Sequence, residues 1–118
     1  MQPEDRNAAH VWDAIDAGAD IAKYLEAKTY DVYLNDSMLR AAVERKLTII
    51  GEATKKVPSD LKQRHPHIDW RGMTGMRDKL IHDYFGVDYD IVWDVAATKA
   101  AQLERDIEAI LRTEAHTR

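Results

Sequence analysis

The stretch DWRGMTGMRDKLIHDYFG (residues 69–86) decides the fold. Its apolar and aromatic residues Trp70, Met73, Met76, Leu80 and Tyr84 recur at steps of three and four, the period of a helix face and not the alternation of a strand. Asp69 is placed to cap the helix and Gly86 to stop it. A turn of about 100° per residue puts Arg77 and Tyr84 on nearly the same face, beside Met73 and Leu80. By the same rotation His82 lies about 140° away, on a stripe with Arg71, Gly75 and Asp78. Arg77 and His82 can therefore act on one group in two ways. Either the helix loosens near His82, or two subunits bring their motifs together across a two-fold axis. Asp78, one turn before His82, is placed to fix the imidazole and favour its protonated form. Gly72 and Gly75 remove bulk near the histidine stripe, for close approach of a neighbour or ligand or for tight packing within the chain.

Outward from this helix the same period continues. A first helix is expected from about Glu4 to Lys28, with Val11, Trp12, Ile15, Ala19, Ala22 and Leu25 inward. TYDVYLND (residues 29–36) interrupts the pattern, and Asn35, Asp36 or Ser37 can cap a second helix running to about Lys56. That helix aligns Leu39, Val43, Leu47, Ile50, Ala53 and Val57, and Pro58 closes it. SDLKQRHPHI (residues 59–68) allows one short helical turn before Pro66. Asp88 caps a last helix from about Tyr89 to Arg112, with Val92, Val95, Leu103, Ile107, Ile110 and Leu111 inward. No strand pattern, linker or repeat is present. The expected fold is all-α, an antiparallel bundle of four main helices plus a short one, and a single domain over residues 1–118. Trp12, Trp70 and Trp93 read as core or interface anchors.

The totals narrow the function classes. With 118 residues, 45% hydrophobic and 32% charged, the chain can bury a core and is not disordered in composition. It has no cysteine, which excludes disulfides and thiolate metal sites. No run approaches the ~20 apolar residues of a membrane span, and the N-terminus carries no secretory pattern. A cytoplasmic protein without a membrane partner is expected. The net charge is −4, yet residues 38–81 hold ten Lys/Arg against five Asp/Glu. A locally positive groove on an acidic body can hold a phosphate backbone. Lys55, Lys56, Lys62, Arg64, Arg71 and Lys79 belong to that basic segment.

Cutting RNA without a metal needs a base for the 2′-hydroxyl proton, an acid for the leaving 5′-oxygen, and positive charge on the phosphate. Histidine titrates in the range that proton transfer requires, and a guanidinium matches phosphate oxygens with paired donors. Only one such histidine stands in the motif, so chemistry with two histidines calls for a dimer. His65 and His67 flank Pro66 without carboxylates at a clear ligand spacing, and they read as loop residues. Glu52 and Arg45 share a face of the second helix and can pair with motif residues, though a solvated role is the default.

RDKLIHDY (residues 77–84) has the form R-x4-H-x-Y. It resembles the signature of the HEPN superfamily, and specifically that of HepT-like toxins. The frame VERKLTIIGEATKKV (43–57), the run RHPHIDWRGMTGMRDKLIHDYFGVDYDIVW (64–93) and a closing amphipathic helix resemble that family in order and spacing. The resemblance covers most of the chain, the first helix being least distinctive. It implies an all-helical homodimer and a metal-independent ribonuclease with a composite site in the dimer cleft, and it calls for no cofactor. By matching position, Arg77 and His82 would be catalytic and Asp78 would assist. It further implies a minimal nucleotidyltransferase antitoxin that silences the toxin by transferring AMP to the motif tyrosine, here Tyr84. Sharing a face with Arg77, a modified Tyr84 would reach the phosphate-binding arginine. The alternative class is a non-catalytic helical subunit that holds nucleotide or docks onto a nucleotidyltransferase.

Overall fold

The computed structural model describes residues 3–116, and side-chain surroundings for residues 10–110 and Arg112. All regular structure among the described residues is helical: α1 (Pro3–Leu25), α2 (Tyr30–Asn35), α3 (Ser37–Lys55), α4 (Ser59–Arg64), α5 (Trp70–His82), α6 (Tyr89–Asp94) and α7 (Ala100–His116). A 3₁₀ turn, Tyr84–Gly86, follows α5, and a π-helical turn, Val95–Lys99, joins α6 to α7 without a break. The long helices α1, α3, α5 and α7 are the four expected. α3 packs between α1 and α5, and α1 rests on α7.

Local chemistry sets the helix starts. The Asp36 side chain accepts from the Leu39 amide at 3.0 Å, the Asp69 side chain from Gly72 at 2.9 Å, and that of Asp88 from Asp90 at 2.9 Å. Each satisfies an amide that the first helical turn leaves without a partner. α1 stops at Leu25, short of the expected Lys28, because Ala27 turns the chain with φ 58°. TYDVYLND does not simply interrupt the pattern. Capped by Thr29, it forms the short α2 and drives Tyr33 wholly into the core.

The core follows the expected faces of α3, α5, α6 and α7: Val43, Leu47, Ile50, Met73, Leu80, Val92, Leu103, Ile107 and Ile110 are all buried. The side chain of Leu111 lies outside the described residues. On α1 the buried face is Val11, Ala14, Ile15, Ala17, Gly18 and Ile21, while Ala22 and Trp12 lie outside it, Trp12 at 51% exposure. Gly18 marks a close approach of α7 to this face, where an added Cβ would stand 3.2 Å from Glu104 Cβ.

No described helix is long and apolar enough to cross a membrane.

Candidate functional site

Arg77 projects from the side of α5 that meets α3. The contact is made possible by Gly51, where a Cβ would come within 2.1 Å of Arg77 Cβ and 2.8 Å of the Met73 carbonyl oxygen. With hydrogen in that place, the two helices close and the arginine stem lies against α3. Its guanidinium is held at both ends. Nη1 donates to Asp78 Oδ1 at 2.9 Å, and Nη2 faces Glu52 Oε1 at 3.8 Å. The Lys55 ammonium reaches the same Asp78 oxygen at 3.5 Å. The side chain is 21% exposed, and its buried Nε has no protein partner among the described residues.

This cluster corrects one expectation. Asp78 pairs with Arg77 and Lys55, and so its carboxylate is directed to cations on the α3 side and not to His82. The hydrogen bond from Arg77, with Lys55 behind it, holds the Asp78 carboxyl below the usual carboxylate range. Glu52, for which solvation was the default, does meet the motif; Arg45 stays exposed. Gly51 and Glu52 are the residues that sequence reasoning undervalued. A glycine within an otherwise regular helical pattern was the available signal.

α5 ends at His82. Asp83 leaves the helix at φ −138°, its amide still bonded to the Lys79 carbonyl, and the 3₁₀ turn begins at Tyr84. The helix therefore stops where loosening was one of two expected solutions. His82 is exposed, and no hydrogen bond or ion pair engages its imidazole among the described residues.

The break also corrects the expectation that Tyr84 shares a helix face with Arg77. Tyr84, 53% exposed, sits on the turn, close enough to α3 to feel the charge of the Glu44 carboxylate. Arg77 meets Glu52, eight residues and about 12 Å further along that helix. The charge of Glu44 raises the Tyr84 phenol above its ordinary value, and burial raises the Glu44 carboxyl in turn. Arg40 lies against the ring of Tyr89, 4.7 Å from its centre, beside this pair. Phe85, next to Tyr84, is entirely exposed.

Of the two glycines near the histidine stripe, Gly72 makes room for the capping carboxylate of Asp69, and Gly75 faces open space. Lys55, Lys56, Arg64, Arg71 and Lys79 are exposed and Lys62 is partly buried. Arg64 pairs with Asp60 at 3.3 Å. The rings of His65 and His67 lie 6.1 Å apart, edge to face, and among the described residues no cluster of three or more His, Cys, Asp or Glu side chains could hold a metal.

An all-helical domain with an arginine anchored on one helix and a free histidine at that helix's end is the class that fold and site define. The family model of ribonuclease HepT-like proteins matches residues 14–110, and the chain belongs to that family. It is 41% identical over 90 residues to a Thermococcus cleftensis protein named provisionally as ribonuclease HepT, covering 76% of this chain and 82% of that one. A Methanocaldococcus jannaschii protein, named provisionally as an RNase, is 38% identical over 104 residues, covering 88% of this chain and 86% of the relative. Another so named, from Caldanaerobacter subterraneus subsp. tengcongensis, is 40% identical over 86 residues, with coverage of 73% and 77%. No solved structure matches the chain significantly.

Proposed function

We propose that the chain is a metal-independent endoribonuclease toxin that acts in the cytoplasm as a homodimer, each chain forming a single domain. The observation that carries this reading is the pairing of an anchored guanidinium with an open imidazole at the end of the same helix. Membership in the ribonuclease HepT-like family supports it. Arg77 offers its paired donors to the scissile phosphate, where a phosphate oxygen exchanges for the loosely held Glu52. His82 takes the proton of the 2′-hydroxyl, whose oxygen attacks phosphorus. The bond to the 5′-oxygen breaks, and the same histidine of a second copy protonates that oxygen. Asp78 assists by fixing Arg77 and not by orienting His82. Lys55, Lys56, Lys62, Arg64, Arg71 and Lys79 supply positive charge along the RNA.

Its off-switch, on this reading, is AMP transfer to Tyr84 by a minimal nucleotidyltransferase antitoxin. The exposed phenol is accessible to such a partner, and the added phosphate and nucleoside would occupy the space beside His82, two residues away in the chain.

Induction in cells with RNA integrity scored in the same cultures tests the enzymatic reading. Wild type should arrest growth and degrade RNA, and His82→Ala should do neither while remaining folded. A wild type that is harmless and cuts no RNA, or a His82→Ala variant as harmful as wild type, would refute it. Co-expression with the antitoxin should add one or more AMP masses to wild type and none to Tyr84→Phe.

A further inference from the structure

Beside α5 lies an open groove of about 580 Å³. Ile68 and Trp70 form an apolar part of its wall, Lys62 and Arg71 bring charge, and Thr74 and Gly75 line its length. Asp78 closes one end. Since Asp78 is the carboxylate that binds Arg77 at 2.9 Å, the groove runs up to the proposed phosphate-binding arginine.

Three observations indicate what fits there. The first is charge. Both carboxylates of the groove are already engaged, Asp69 with the Gly72 amide and Asp78 with Arg77 and Lys55. Lys62 and Arg71 have no ion-pair partner among the described residues. The groove therefore presents two cations free of direct ion pairs, with Asp69 the one lining carboxylate that no cation holds. The second is shape: a volume of this size lies within the ~300–1,000 Å³ range of small-ligand sites, roomy enough for a nucleotide. The third is the wall. The indole nitrogen of Trp70 donates to the His65 carbonyl at 3.0 Å, which fixes the partly buried ring where it lines the groove. A flat apolar side with cations beside it suits a nucleobase and its flanking phosphate.

We infer that this groove is a nucleotide subsite for single-stranded RNA. It would hold the residue adjoining the scissile phosphate, its base against Trp70 and Ile68 and its far phosphate between Lys62 and Arg71. The inference rests on the ribonuclease reading and adds the path by which the strand reaches Arg77. Gly75 is central to it: nothing stands within 4 Å of where its Cβ would be, so the wall is open there, and a side chain at that position fills the groove without disturbing the core.

That property supplies the test. A single-stranded RNA 12-mer is titrated against the His82→Ala protein, which is expected to bind without cutting, with and without Gly75→Leu. In parallel, cleavage of total cellular RNA by the His82 protein is mapped with and without Gly75→Leu. The subsite predicts that Gly75→Leu weakens 12-mer binding by about tenfold or more, with the thermal midpoint held or raised, as replacing a glycine inside a helix should do, and the oligomeric state unchanged. Lys62→Ala and Arg71→Ala should each lower the slope of log affinity against log salt by about 0.7, as loss of one phosphate contact does for a single strand. Unchanged binding and unchanged cleavage positions in Gly75→Leu would overturn the subsite while leaving the ribonuclease standing. If the wild type cuts nothing but Gly75→Leu still abolishes binding, the ribonuclease reading falls and the subsite remains. A Gly75→Leu protein that changes oligomeric state would show the groove to be a contact between copies, and the subsite would be wrong.

Discussion

Arg77 and His82 sit five residues apart on one helix, yet the protein treats them in opposite ways. The arginine stem is pressed onto α3 through Gly51, and its guanidinium is tied by Asp78 and Glu52. The histidine stands exposed at the last helical position, before a turn whose residues are all exposed. A group that must present charge to a phosphate benefits from being fixed beforehand, because no reorganisation is then needed at the moment of reaction. A group that must pass a proton needs access to its substrate and, on the proposed mechanism, to a second copy of itself. The contrast accounts for how a single helix could carry both proposed roles even though its geometry points the two side chains apart.

Arg77→Lys gives the largest expected break in this comparison. It keeps the charge but loses the planar fork that Asp78 and a phosphate share, and kcat/KM for RNA cleavage should fall by about 100-fold. Retained activity would mean that only the charge matters and the clamp is incidental.

Gly51→Ala tests the anchor directly. Its methyl group would meet both the Arg77 stem and the Met73 carbonyl, so α3 and α5 must separate. A loss of about 1–3 kcal/mol is expected for such overpacking, read as a lower thermal midpoint with reduced activity. An unaffected midpoint would show that the helices do not need the close contact at Gly51.

At the free end the effects should be smaller. Burial raises the Glu44 carboxyl above its ordinary value. The folded protein thus holds that proton more tightly than the unfolded chain, and the associated stability is present below about pH 4.5 and lost as pH rises through the folded value. Glu44→Gln should therefore raise the midpoint by a few degrees at pH 7, with the advantage fading as pH falls towards 4. An advantage independent of pH would point to packing and not charge. Tyr84→Phe should do least to the fold, within about 0.5 kcal/mol as for ordinary surface changes, because the side chain is exposed. A large drop would make the Glu44 contact structural.

What the sequence made legible follows the same divide. Helical period was enough to find α3, α5 and the α6–α7 rod, since Leu47, Ile50, Leu80, Leu103 and Ile107 bury as their spacing demands. It failed at Trp12, because apolar residues at three- and four-residue steps allow more than one stripe, and the one that packs runs through Val11, Ala14, Ile15, Gly18 and Ile21. It also failed past His82. The pattern that carried Tyr84 onto the helix continues in the sequence, but the backbone leaves α5 at Asp83. R-x4-H located Arg77 and His82, whereas the anchor came from α3, a helix away. Pairings such as Arg77 with Glu52 and Lys55 with Asp78 arise only when two helices meet, and spacing within one helix cannot reveal them.

The central claim is that an anchored arginine and a free histidine together cleave RNA. Its most direct test is single-turnover cleavage of purified cellular RNA by wild type, Arg77→Ala and His82→Ala, with dimer content measured on the same samples. The account predicts cleavage by wild type and a loss of at least about 100-fold in either variant, with fold and assembly intact. Cleavage by His82→Ala at the wild-type rate would contradict it.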